Sequence, residues 1–190
     1  NDSFAVLFES AGLDYIIPSL GFLLPVGISF YTFQTLSYSV DVYRGNLKPE
    51  KSFGKFALFV CFFPQLVAGP IERAKVLLTQ FGFKAKFDAY NFTSGLRLIL
   101  LGLFKKVLVA DQIGSMVSFV YDNPEHQNGV NLFIASVLFA QQVYCDFSGY
   151  SDIAQGSAKM LGVKLTDNFK IPFLSKTMAE FWGNWHITLM

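Results

Sequence analysis

Three stretches of this chain carry no charged side chain: Tyr15 to Val40, Phe56 to Ile71 and Gln127 to Cys145. About 20 predominantly apolar residues cross a bilayer as a helix, and the first and third stretches reach that length. Charged residues make up 15% of the chain and apolar residues 52%, with 22 phenylalanines. A soluble domain carries about 25% charged residues, so the pattern points to a polytopic, all-α membrane protein. The net charge of +1 supplies no field that would gather nucleic acid.

The first stretch holds Pro18 and Pro25 near its start, which places its helical core at Val26 to Val40. Asp41 to Lys55 reads as a polar loop with Arg44, Lys48, Lys51 and Lys55. The second stretch is short, and Pro64, Gln65, Gly69 and Pro70 crowd its end. The loop after it is basic as well, with Arg73, Lys75, Lys84 and Lys86. A simple crossing between two basic loops conflicts with the positive-inside rule, so Phe56 to Ile71 is expected to be re-entrant.

Phe92 to Val120 reads as a long helical region interrupted by Arg97, Lys105, Lys106 and Asp111. Two readings stay open: lysines that snorkel to an interface, or two shorter helices divided near Asp111 to Gly114. Tyr121 to Gly129 is a turn-rich, more acidic loop suited to the opposite face, with His126 exposed in it. The third span runs on into Asp146 to Asp152 and continues helically from Ala154 to Leu161. Ala154 and Ala158 offer a small-residue face there, and Gly162 is its stop. Asn168 to Ser175 is a connector in which Pro172 blocks helix. Cys61 and Cys145 are far apart in apolar stretches, which suits two buried thiols better than a disulfide.

Chemistry gathers at two places. Residues 144 to 152, YCDFSGYSD, put Tyr144, Asp146, Tyr150 and Asp152 directly after an apolar span, with Asp146 and Tyr150 one helical turn apart. A carboxylate at membrane depth faces the bundle interior or a wet cavity, whereas at the headgroup level it needs no special setting. Asp111 has the same two readings, the plainer one being an ion pair with Lys105 or Lys106. Gln141 and Gln142 need hydrogen-bond partners within their span, lining a polar channel or bridging helices. The second place is Lys176 to Met190. Thr177 and Glu180 have capping-box spacing, so a helix is expected from there. On it Phe181, Trp185 and Leu189 share one stripe, and Trp182 and His186 the next. His186 is then a satisfied core histidine or a proton-handling group. No spacing suggests a metal site, and no serine-hydrolase, zinc-protease or nucleotide-binding motif is present.

Six blocks occur in order: PVGISFYTFQTLSYSVDVYRG (25 to 45), FFPQLVAGPIER (62 to 73), GLFKKVLVAD (102 to 111), VYCDFSGYSDIAQG (143 to 156), NFKIPFLSKTMAEFW (168 to 182) and NWHITL (184 to 189). Together they resemble the membrane-bound O-acyltransferase (MBOAT) family. The nearest branch is that of the polysaccharide O-acetyltransferases of the alginate type, related to the D-alanyl transfer protein of teichoic acid modification. The resemblance implies one partial membrane domain over 1 to 190, multi-pass in the bacterial inner membrane, with a tunnel through the bilayer. It implies transfer of an acyl group, acetyl by likeness, from an acyl-CoA or acyl-carrier thioester to hydroxyls of an envelope or exported polysaccharide. It implies no bound cofactor, and partner proteins of an acetylation complex.

By the same resemblance His186 matches the first of two functional histidines, and Asp111 closes the lysine block and belongs to the site. Asn184, Tyr144, Asp146, Tyr150, Asp152 and Gln141 are candidates to meet substrate. The second histidine, usually treated as the catalytic base, lies in a downstream block that the chain does not reach. The chain starts at Asn1 without a signal peptide and stops at Met190, so an internal fragment, inactive alone, is expected. Gly183-Asn184 departs from the arginines the family often carries there. Two other classes compete: a transporter or channel, with carboxylates and broken helices inside a bundle, and a non-catalytic scaffold of a polysaccharide assembly complex.

Overall fold

In the computed structural model the structure describes residues 27–66, 69–82 and 86–189. Pro18, Pro25 and the rest of 15–26 in the Tyr15 to Val40 stretch lie outside the described residues, as does Lys84. The described chain is helical, with one isolated antiparallel bridge, Phe169 to Trp185.

The first helix, α1, runs Ile28–Tyr43. It passes Val40 by most of a turn, taking in Asp41, which the sequence assigned to a loop. Gly45, at φ 74°, turns the chain after it. The second stretch does break early. Helix α2, Phe53–Val60, starts on Ser52, whose side chain accepts from the Lys55 amide. It ends where Phe62 turns extended ahead of the 3₁₀ turn Phe63–Gln65. A helix end leaves carbonyls without intrahelical partners. Here Gln34 and Gln65 both donate their side-chain amides to the Phe59 carbonyl, at 2.9 and 3.2 Å. Cys61 is exposed and only Cys145 is buried, both as free thiols, so the expectation of two buried thiols holds for one.

Helix α3, Ala74–Gln80, packs on α2 around Phe59, Phe62, Leu77 and Leu78, with Ala158 and Leu165 closing the cluster. Phe59 is fully buried, a contribution of about 1.5–3 kcal/mol. The segment before α3 is pinned from outside. Glu72 is buried, and its carboxylate accepts from the backbone N–H and the hydroxyl of Thr166. Burial pushes the Glu72 carboxyl above the usual carboxylate range against the pull of those two bonds. A raised native value means the folded state holds its proton longer, so stability falls as pH rises through the interval above 4.5. Glu72→Gln should flatten that fall and still accept from the Thr166 amide. Glu72→Ala should lose about 1–3 kcal/mol by stranding both Thr166 donors. Thermal unfolding of the full-length protein across pH checks both.

The region Phe92 to Val120 is one continuous helical rod in three parts. Helix α4, Ala89–Leu103, passes into a π-helical segment, Phe104–Ala110, and then into α5, Asp111–Tyr121. The chain is not divided near Asp111 to Gly114. Its hydrogen-bond register changes just before Asp111, as π-segments at functional sites often do. His126 is exposed, in the 3₁₀ turn Pro124–His126.

Helix α6, Gly129–Met160, absorbs the third span, the YCDFSGYSD block and the alanine face into 32 residues. At about 1.5 Å per residue it is longer than the roughly 30 Å hydrocarbon core. Among the described residues it is the one helix long and apolar enough to cross a membrane. Gly162, at φ 79°, ends it as expected: its amide and that of Val163 return to the carbonyls of Lys159 and Ala158, a Schellman closure. Antiparallel to α6, α4 approaches it at Gly95 against Gly156 and Gly102 against Gly149, backbone to backbone.

Candidate functional site

Thr177 caps the last helix, α7, Met178–Asn184, by accepting from the Glu180 amide at 3.1 Å, while the Glu180 carboxylate accepts from the Lys176 amide at 2.8 Å. The helix stops at Asn184, five residues before the stripe expected for it would end. Trp185 is extended and His186 turns into the left-handed region at φ 47°. His186 is therefore not on a helix beside Trp182. The cause is long-range pairing: Lys170 N–H donates to Asn184 O and Ile187 N–H to Asn168 O, each at 3.0 Å. Residues 168–170 and 184–187 thus run together like a short hairpin. The Asn168 side chain locks it, accepting from the Thr188 hydroxyl at 2.7 Å and the Thr188 amide at 3.2 Å.

The strand-like turn sets Trp185 into an aromatic nest. It stacks on Phe181 at 5.7 Å and meets the edge of Phe169 at 5.2 Å, with Tyr144 of α6 at 6.2 Å. His186 instead meets Phe147 of α6, edge to face, at 4.7 Å. A left-handed conformation costs a non-glycine residue roughly 1–2 kcal/mol, and it persists only where surroundings impose it. His186 lies on the loop after α7, outside the spanning helix. Its Nε2 is buried and has no hydrogen-bond partner among the described residues. Burial pushes the imidazole below its ordinary value, so it stays neutral at pH 7. A neutral imidazole with a bare nitrogen, held in a strained turn, can accept a proton from a hydroxyl placed against it.

The carboxylates form a second cluster. Lys106 reaches Asp146 at 2.6 Å and Asp111 at 2.8 Å, and Lys105 reaches Asp152 at 2.6 Å. The π-segment carries both lysines to the face of α6, and the glycine contacts set the register that brings Asp146 to Lys106. Asp111 thus has the ion-pair partner its plainer reading required. Asp146 is half exposed rather than enclosed. Tyr150 is half-buried on α6, one turn beyond Asp146. Gln141 donates to Cys145 Sγ at 3.3 Å, within its own helix. Gln142 packs where a side chain on Gly114 would lie, across to α5. Asn184 donates to Ser175 Oγ at 3.2 Å.

The structure therefore brings Tyr144 into the Trp185 nest, links His186 to it through Phe147 and Phe169, leaves Asn184 on Ser175, and gathers Asp111, Asp146 and Asp152 at a lysine cluster. Gln141 faces a cleft of about 440 Å³ with Ser136 and Phe173. Sequence reasoning missed Phe147, Asn168 and Thr188. Their signal is nonlocal, since Asn168 and Thr188 meet only when the two blocks pair.

The family model for MBOAT, the membrane-bound O-acyltransferase family, matches residues 50–190. This chain belongs to that family. The block Pro25 to Gly45 lies N-terminal to the matched residues; the other five lie within them. Among curated relatives, a probable alginate O-acetylase AlgI of Pseudomonas fluorescens is 39% identical over 99% of this chain and 37% of its own length. A peptidoglycan O-acetyltransferase of Helicobacter pylori is 35% identical over 90% of this chain and 37% of its own length. A teichoic acid D-alanyltransferase of Streptococcus thermophilus is 31% identical over 86% of this chain and 41% of its own length. The chain thus spans little more than a third of these MBOAT relatives.

Proposed function

We propose that this chain is part of a membrane O-acyltransferase that moves an acetyl group from a thioester donor to hydroxyls of a cell-envelope or exported polysaccharide. The observation that carries the reading is the 39% identity with the alginate O-acetylase, sustained over 99% of the chain. The site supports it: His186 presents a buried, unpartnered Nε2 inside an aromatic nest built by an MBOAT block. In the transfer, a sugar hydroxyl oxygen attacks the thioester carbonyl and its proton passes to a neutral imidazole. The carbon–sulfur bond then breaks, and the thiolate leaves with that proton. A water-poor surround would strengthen any dipole aimed at the developing oxyanion.

In this reading His186 shares the proton work with the downstream histidine of the family. Tyr144 and Asn184 flank the acceptor, and the Asp111, Asp146 and Asp152 cluster borders the path. Tyr150, one turn beyond Asp146, and Gln141 on the opposite face of the helix are further candidates to meet substrate. The donor is acyl-CoA or an acyl carrier, the setting is a multi-pass bundle of the inner membrane with Phe56 to Ile71 re-entrant, and partner proteins present the polysaccharide. Mass spectrometry of envelope glycans, with and without the intact gene, tests the proposal. Ester-linked acetyl should fall on deletion and return on complementation; unchanged ester content would sink it.

A further inference from the structure

A cleft of about 420 Å³ lies between α1, the segment Ile71–Arg73 and the final turn at Thr188 and Leu189. Its lining combines two chemistries. Leu36, Val40 and Leu189 supply apolar surface, and Arg44 and Arg73 both line the same cleft. Neither arginine has a carboxylate in ion-pair range among the described residues, where the three ion pairs all belong to lysines. Both are exposed, yet their backbones are fixed. Arg44 N–H donates to Val40 O at 2.9 Å, and Asn46 N–H, just beyond, to Asp41 O at 2.9 Å. On the other wall Ile71 N–H donates to Thr188 Oγ1 at 3.0 Å, and Glu72 holds Thr166. Arg73 follows directly from those two anchors. Asp41 also lines the cleft, so its charged groups sum to one net positive charge (Arg44, Arg73 and Asp41).

We propose that this cleft binds a phosphate group carried on an amphipathic ligand. A guanidinium offers a planar fork of donors that fits phosphate oxygens two at a time, and two unengaged forks lining one cleft can make a phosphate seat. The apolar surface takes the unbranched, less polar part of the same molecule. Thr188 joins the cleft to the His186 turn, because it binds both Ile71 and Asn168, the residue that closes the hairpin around His186. The inference rests on the acyl-transfer reading where it names a source. The phosphate is that of a thioester donor or that of an anionic lipid headgroup, which share the chemistry.

The test uses the full-length protein in detergent micelles and two probes. Coenzyme A is titrated calorimetrically, with pantetheine as the phosphate-free control. Phosphatidylglycerol retention is read by native mass spectrometry against phosphatidylcholine. Arg44→Gln and Arg73→Gln should each weaken the phosphate-bearing probe by about tenfold and leave pantetheine unchanged. Asp41→Asn should tighten it by at least about twofold, a gain that misfolding cannot produce. A change confined to coenzyme A supports the phosphate seat and assigns it to the donor. A change confined to phosphatidylglycerol supports the seat and assigns it to a headgroup. Wild-type protein that binds neither probe, or arginine variants that bind both as wild type does, overturns the inference. That result leaves the acyltransferase reading standing, since loss of glycan ester on gene deletion does not depend on it.

Discussion

Replacing Gly102 with Val is expected to separate α4 from α6 and to remove most of the folded protein. A Cβ at Gly102 would lie 2.4 Å from the Gly149 carbonyl oxygen and 2.8 Å from Ile153 Cγ1. At Gly149 it would lie 2.8 Å from Gly102 O, and one heptad away a Cβ added at Gly95 or Gly156 would lie 2.6 Å from the other's carbonyl oxygen. Real Cβ contacts do not come that close, and the obstacle is backbone rather than a side chain that could swing aside. Two rigid helices would have to part along their length. In the proposed multi-pass bundle, where lipid supplies no hydrophobic drive between helices, close approach of small residues would hold such a pair together. Overpacking costs about 1–3 kcal/mol even where side chains can adjust, so Gly102→Val belongs at or beyond the upper end. Thermal unfolding of the full-length protein in detergent reads the loss. Gly183→Ala is the control: nothing stands within 4 Å of a Cβ there, and Ala favours the helix. A Gly102→Val melting point equal to wild type would mean that α4 and α6 do not depend on this contact.

Those glycines also mark where the sequence was legible and where it was not. Local signals read true. The uncharged run became the body of α6, Gly162 stopped it, and Thr177 with Glu180 started α7. Each depends only on neighbours within a turn or two. The seven-residue spacing of Gly95 and Gly102, and of Gly149 and Gly156, was equally present. It is informative only once the two helices are known to face each other, so the small-residue face was read from Ala154 and Ala158 instead. The same dependence hid the partner of Asp146. Its salt bridge with Lys106 needs the antiparallel register of α4 and α6 as well as the π-segment that aims the lysine.

The error at His186 has a different cause. The apolar stripe of Phe181, Trp185 and Leu189 fits a helix, and the Phe181–Trp185 stack survives. Backbone pairing with 168–170 and the Asn168–Thr188 lock override the stripe after Asn184. Gly183-Asn184 was the available warning, since both residues favour helix ends. The site was thus legible as residue types in family order, while its geometry rests on contacts between distant segments.

Removing the imidazole of His186 should cost the full-length protein at least about a hundredfold in acetyl transfer, the lower bound for a positioned acid–base group. His186→Ala alone cannot separate chemistry from shape, because the residue also occupies a left-handed turn at φ 47°. His186→Asn can. Asparagine tolerates that conformation better than alanine, yet handles no proton at neutral pH. The asparagine variant should therefore keep wild-type stability and abundance and still leave the polysaccharide without ester. The pH profile supplies an independent reading. Burial lowers the His186 value, so the native imidazole remains a neutral base as pH drops through 6.5, and transfer should fail only below that. Stability moves in the matching direction. The unfolded chain takes up the proton first, so the contribution of this buried neutral ring is lost as pH falls below about 6.5. An asparagine variant with wild-type ester content would reduce His186 to a fold-shaping residue, and the acid–base role would belong to another group.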